Sequence, residues 1–100
     1  MSNPGILERA IFAIKPGQAE DFEKAFTLAA PLIRAAKGCR SAQLHRGIEN
    51  PDSFILLVEW ATLEDHMVGF RESAVFGEWR AILGPHFASP PAVEHYAAPV

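Results

Sequence analysis

The apolar residues of this chain change period several times, and each change marks a structural element. Ile6 to Lys15 (ILERAIFAIK) is dense in Ile, Phe and Leu and is stopped by Pro16-Gly17, which predicts a strand. From Gln18 to Lys37 the period lengthens. Phe22, Phe26, Ala29, Ile33 and Ala36 recur at spacings of three and four, which predicts a helix with one buried stripe. Glu20, Asp21 and Glu23 suit the positive end of its dipole. Pro31 falls inside the pattern and predicts a kink, and Gly38 is a natural residue to follow the helix end.

Cys39 to Arg46 reads as a second strand and Phe54 to Ala61 (FILLVEWA) as a third, joined by the short loop Gly47–Ser53. A hairpin closing symmetrically around Asn50 sets Leu44 opposite Leu56 and Arg46 opposite Phe54. Leu44, Arg46, Leu56, Val58 and Trp60 then share one face, and Ser41, Gln43, His45, Ile55, Leu57 and Glu59 the other. Thr62-Leu-Glu-Asp65 resembles a capping box and opens a helix that breaks near Gly69. A second helical segment runs from Ser73 to Leu83, with Val75, Phe76, Trp79, Ile82 and Leu83 as its apolar face, and Gly84-Pro85 ends it. After the rigid Pro90-Pro91, Val93 to Ala97 makes a short last strand.

The resulting order is βαββαβ. Right-handed crossovers then give a ferredoxin-like split-βαβ unit: an α+β fold whose four-stranded antiparallel sheet carries helices on one face. No internal repeat or linker interrupts residues 1–100, so one domain is expected, with its core at about residues 5–97. A sheet with one wet face should alternate apolar and polar residues, yet Phe54–Val58 is apolar at five consecutive positions. Ala10, Phe12 and Ile14 on one parity of the first strand are likewise matched by Ile11 and Ala13 on the other. The face without helices therefore needs a cover. A second copy of the same sheet is the simplest one, which predicts a homodimer packed sheet to sheet.

Composition narrows the function by exclusion. A formal charge of −3 argues against nucleic acid, which demands a basic face. No apolar run approaches the roughly 20 residues of a membrane span, and Met1–Gly5 lacks the basic start of a secretory signal, so a cytoplasmic protein is expected. One cysteine, Cys39, permits no disulfide framework and reads as a small buried residue. His45, His86 and His95 follow no metal-ligand spacing, so no metal is expected, and Glu94-His95 reads as a pair on a strand edge. Phosphate loops, dinucleotide fingerprints and the Gly-x-Ser-x-Gly elbow are missing as well.

Three residues could carry chemistry. Trp60 ends a strand and either fills the core or walls an aromatic pocket. His66, with Phe70 one turn on, is either a structural helix histidine or a proton donor and acceptor facing a cavity between helix and sheet. Arg80 either complements its helix C-terminus or turns inward to stabilise an anion. Arg9, Arg40, Arg46 and Arg71 read as surface or ion-pair residues.

Several stretches together resemble the antibiotic biosynthesis monooxygenase domain family. They are Lys15-Pro16-Gly17 before an acidic helix with Phe22, Phe54–Trp60 before a Thr62-capped helix, Phe70-Arg-Glu-Ser73-Ala-Val-Phe76, and Val93-Glu-His-Tyr96. The resemblance covers about residues 5 to 97 and implies a dimeric α+β barrel. One branch of that family oxidises aromatic polyketides or hydroquinones with molecular oxygen and no cofactor. The resemblance sets Trp60 and Arg80 at that branch's Trp and Arg, while His66 replaces its proton-donating Tyr and Leu56 its Asn. It implies a cofactor-independent monooxygenase acting on a small aromatic molecule. Trp60, Phe70, Phe76 and Leu56 would line the pocket, His66 would exchange a proton and Arg80 would stabilise the anion. The alternative is a non-catalytic ligand-binding or scaffold domain. In the haem-degrading branch the key positions correspond here to Ala10, Phe70 and Arg80, which disfavours haem binding or degradation, although His66 could in principle reach a haem iron.

Overall fold

A computed structural model of the chain describes residues 4–100. Met1–Asn3, on which the reading of the N-terminus partly rests, lie outside the described residues. The order is β1 (Ile6–Ala13), α1 (Ala19–Arg34), β2 (Cys39–Arg46), β3 (Ser53–Trp60), a π-helical segment (Asp65–Phe70), α2 (Ala74–Leu83), a 3-10 turn (Gly84–His86) and β4 (Ala92–Tyr96). The strands form one antiparallel sheet in the order β2-β3-β1-β4, the ferredoxin-like arrangement that the element order predicts.

The hairpin register is the expected one, with Leu44 opposite Leu56 and Arg46 opposite Phe54. Even-numbered residues of β1 and β3 (Ala10, Phe12, Phe54, Leu56, Val58 and Trp60) are buried under the helices. They meet Phe22, Phe26, Ala29 and Ile33 from the stripe of α1 and Trp79 and Leu83 from α2 in one core. The odd-numbered Leu7, Ile11, Ile55 and Leu57 lie half-buried on the opposite face. Arg9 on that face pairs with Glu94, and Arg46, on the other parity, pairs with Glu20 and Glu23.

Several boundaries move, each for a local reason. Pro31 lies inside α1, which runs on to Arg34, whose guanidinium donates to the carbonyl of Ala42 on β2. The helix stops three residues before the expected Lys37, so Ala36 lies outside it. Gly38 takes its left-handed φ of +84° in the following turn, and a Cβ there would collide with the Asp65 carboxylate. β1 ends at Ala13, and Ile14 continues only as an isolated bridge to Phe87. Gly84-Pro85 ends α2 after Leu83 as expected, and the chain continues in a 3-10 turn, Gly84–His86. Val75 is exposed rather than apolar-facing, because the buried stripe of α2 runs through Phe76, Trp79 and Leu83, and Val75 falls beside it.

The break near Gly69 has a defined form. Thr62 Oγ1 accepts from the Asp65 amide at 3.1 Å, which starts the turn as the capping pattern predicts. The backbone then widens to a π-helix, in which the Arg71 amide donates to the His66 carbonyl five residues back at 3.0 Å. The Ser73 hydroxyl restarts an ordinary helix by accepting from the Phe76 amide at 3.3 Å. The wide turn carries both His66 and Phe70 inward, where they are 3% exposed.

Candidate active site

A buried carboxylate organises the space between sheet and helices. Glu8 sits on the helix-facing parity of β1, between Val58 of β3 and His95 of β4 in the ladder, and is 4% exposed. A buried carboxylate must be hydrogen-bonded, and the indole Nε1 of Trp60 donates to its Oε1 at 2.9 Å. The same oxygen lies 3.4 Å from His66 Nε2. On the far side of the ring, His66 Nδ1 shares a 2.8 Å hydrogen bond with His95 Nε2. Trp60, Glu8, His66 and His95 thus form one continuous polar chain from the core to the edge strand.

Aromatic rings clamp this chain. Trp60 stacks on His66 with centroids 5.1 Å apart at 19°, and Phe70 approaches Trp60 at 5.9 Å. Phe76 and Trp79 meet Phe70 edge to face at 5.5 and 5.9 Å. Burial raises the Glu8 pKa, against the opposing effects of the Trp60 hydrogen bond and the Arg71 charge. Burial, and then the neighbouring His95 and Arg71, lower that of His66 to about 4, so at neutral pH it is an uncharged imidazole. The His95 pKa is lowered too, first by burial and then by Arg71.

Beside the chain opens a cleft of about 930 Å³. Glu8 and His66 reach its wall with Ala10, Leu56, Phe70, Arg71 and Phe76, and the segment Phe87–Pro91 borders it. Among the six residues singled out from the sequence, Leu56, His66, Phe70, Phe76 and Arg80 all line this cleft. Trp60, wholly buried, stands behind His66 and Phe70. Arg80 is exposed on the cleft wall, with its guanidinium 6.0 Å from the Phe76 ring.

Two readings of the histidines change. Glu94 and His95 are not a pair on one edge. Strand alternation sends Glu94 to Arg9 on the open face and His95 inward to His66. Both ring nitrogens of His66 are already engaged, so it could meet a haem iron only by giving up Glu8 or His95. These two partners flank the imidazole on opposite sides and cannot converge on one ion. Among the described residues no group of three or more His, Cys, Asp or Glu side chains could hold a metal.

Glu8, His95 and Arg71 escaped the sequence reading as site residues. A signal for Glu8 was present: it shares the parity of Ala10, Phe12 and Ile14, so a carboxylate was placed on an otherwise apolar face. His95 had no such signal, because its partner lies 29 residues away.

Known proteins share this framework. A curated relative, the uncharacterized protein YczJ of Bacillus subtilis (strain 168), is 43% identical over 91 residues, covering 91% of this chain and 96% of its own. A crystal structure from Bordetella bronchiseptica, provisionally named an antibiotic biosynthesis monooxygenase, superposes with a TM-score of 0.90 at 41% identity, covering 96% of this chain and 99% of that one. A single-residue mutant of SnoaB, a cofactor-independent oxygenase from Streptomyces nogalater, superposes with a TM-score of 0.80 over 95% of this chain and 93% of its own. Its 15% identity makes that a likeness of fold. The sequence pattern of the family described as antibiotic biosynthesis monooxygenase matches residues 6–82, and this chain belongs to that family.

Proposed function

We propose that this chain is a cofactor-independent monooxygenase that oxidises a small aromatic substrate (a phenol, hydroquinone or polyketide-like compound) with molecular oxygen. The observation that carries the reading is a cleft walled by Leu56, Phe70 and Phe76 with a buried acid and imidazole 3.4 Å apart on its wall. Such a site can bind a flat ring, exclude water and accept a proton, which are the requirements for turning a phenol into an electron-rich anion that reduces oxygen. His66 takes part in the proton exchange, Trp60 holds it in place by stacking, and Arg80 on the exposed wall stabilises the anion. Family membership and the fold shared with a named cofactor-independent oxygenase support the same reading.

In this reading the chain works in the cytoplasm as a homodimer. Leu7, Ile11, Ile55 and Leu57 form an apolar patch on the helix-free face of the sheet, and a second copy would cover it. No helix among the described residues is long and apolar enough to cross a membrane.

Oxygen consumption by chelator-treated protein tests the proposal, with a panel of hydroquinones, naphthols and anthrones set against His66→Ala. Uptake above autoxidation that the variant loses is expected. A second reading, a ligand-binding domain without turnover, draws on the engagement of both His66 nitrogens and the exposure of Arg80. It requires no uptake across the panel and ligand affinity nearly unchanged in His66→Ala.

A further inference from the structure

We propose that Glu8 is the catalytic base that removes the acidic proton of the aromatic substrate, and that His66 and His95 form the path by which this proton reaches solvent. The inference rests on the oxygenase reading and names the residues that would carry its first step. Glu8 touches the cleft, whereas both nitrogens of His66 are directed at protein groups, Nε2 towards Glu8 at 3.4 Å and Nδ1 towards His95 at 2.8 Å. Trp60 occupies one carboxylate oxygen of Glu8 as a donor, which orients the group without neutralising it. His95 is half-buried on the edge strand β4, the only member of the chain beyond the deep interior.

The proton balance is complete without any redox partner. The substrate's O–H, or the C–H of its keto tautomer, breaks, and its proton bonds to the Glu8 carboxylate, leaving a phenolate or enolate. Glu8 then passes a proton to His66 Nε2 while His66 Nδ1–H passes one to His95 Nε2, and His95 releases its Nδ1 proton to water. Glu8 is again a carboxylate, and each imidazole is neutral with its tautomer switched. A return proton running the other way resets both rings and reaches Glu8, which hands it to the oxygenated product anion and is a carboxylate again. The charged and titratable groups around the path are Arg71, whose charge acts on Glu8, His66 and His95, and Cys39, which is influenced by Glu8. His66 and His95 act through Glu8 and are positioning residues.

Anaerobic exchange of the C10 hydrogens of anthrone with D2O reads proton removal without needing oxygen. Wild-type protein is expected to catalyse exchange above the buffer rate, and Glu8→Gln to lose about 10²–10⁴-fold of it. Gln retains an acceptor for the Trp60 indole, and an unchanged circular dichroism spectrum certifies the fold of the variant. Exchange at the wild-type rate in Glu8→Gln, or none in the wild type, overturns the assignment of Glu8. His95→Ala is expected to slow exchange roughly tenfold and to recover with added imidazole. An undiminished rate, or a loss that imidazole does not repair, overturns the path. Catalysed exchange without oxygen uptake in air would sink the oxygenase reading while leaving the proton path standing.

Discussion

The indole N–H of Trp60 donates to Oε1 of Glu8 at 2.9 Å, joining the last residue of β3 to the third of β1 inside the core. This bond lets a carboxylate sit at 4% exposure, and it explains why the strand-end tryptophan is buried completely rather than lining the cleft. The core and pocket readings of Trp60 therefore merge: it fills the core, and by doing so holds the acid that borders the pocket.

Replacing Trp60 with Phe should be costly for this reason. The substitution removes packing around His66 and leaves the Glu8 oxygen without its donor, a combined loss of about 2–4 kcal/mol. Urea denaturation of the two proteins checks it, and a difference below about 1 kcal/mol would mean that the bond contributes little.

His66 gives the fold a defined acid sensitivity. Its folded-state pKa of about 4 lies below the ordinary 6.5, so the folded protein binds this proton less readily than the unfolded chain. The associated stability is present in full above pH 6.5 and is lost as pH falls towards 4, up to about 3 kcal/mol in total. Glu8 acts in the opposite sense, because its raised pKa favours the folded state at low pH and that contribution is lost as pH rises through the raised value. The stability advantage of wild type over His66→Gln should therefore shrink between pH 7 and pH 4.5, read from urea midpoints. An NMR titration of the His66 ring provides the direct check, and a midpoint above 6 would contradict the burial argument.

Arg80 should matter to turnover and not to folding. It is exposed and packs only its guanidinium near the Phe76 ring, so Arg80→Gln is expected to leave stability within about 0.5 kcal/mol. If it stabilises the substrate anion, oxygen uptake should fall by about 10–100-fold, chiefly through the rate constant at saturation. Equal turnover in the two proteins would remove Arg80 from the site.

The open face of the sheet provides a test of assembly. Leu57 is centrally placed there, opposite Arg9 on β1 and Gln43 on β2. Leu57→Lys would set a charge in the proposed interface of two copies and should turn a dimer into a monomer in sedimentation at micromolar concentration. A wild-type chain that sediments as a monomer would dispose of the dimer itself.

The fold was legible because its determinants are local. Hydrophobic period separated strands from helices, and Asn50 lies in a loop short enough that symmetric closure alone set Leu44 against Leu56. Helix ends were less legible. α1 stops at Arg34, whose guanidinium donates to the Ala42 carbonyl of β2, a tertiary contact that the helical pattern does not announce. The widening at Asp65–Phe70 is similar: Gly69 marks the break in sequence, but burial of His66 and Phe70 against Trp60 selects the π-helical form.

The candidate site divides along the same line. Sequence alone put Leu56 on one face of the hairpin by parity and Phe76 on the apolar stripe of its helix, and the family resemblance named both for a pocket together with His66 and Phe70; all four border the cleft. Only the tertiary structure decided which of them touch. Glu8, Trp60, His66 and His95 come from four separate elements, and their contacts span up to 52 residues of sequence. Periodicity reports the direction in which a side chain points relative to its own element. The distance between two side chains on different elements depends on how the layers pack, and no local pattern encodes that.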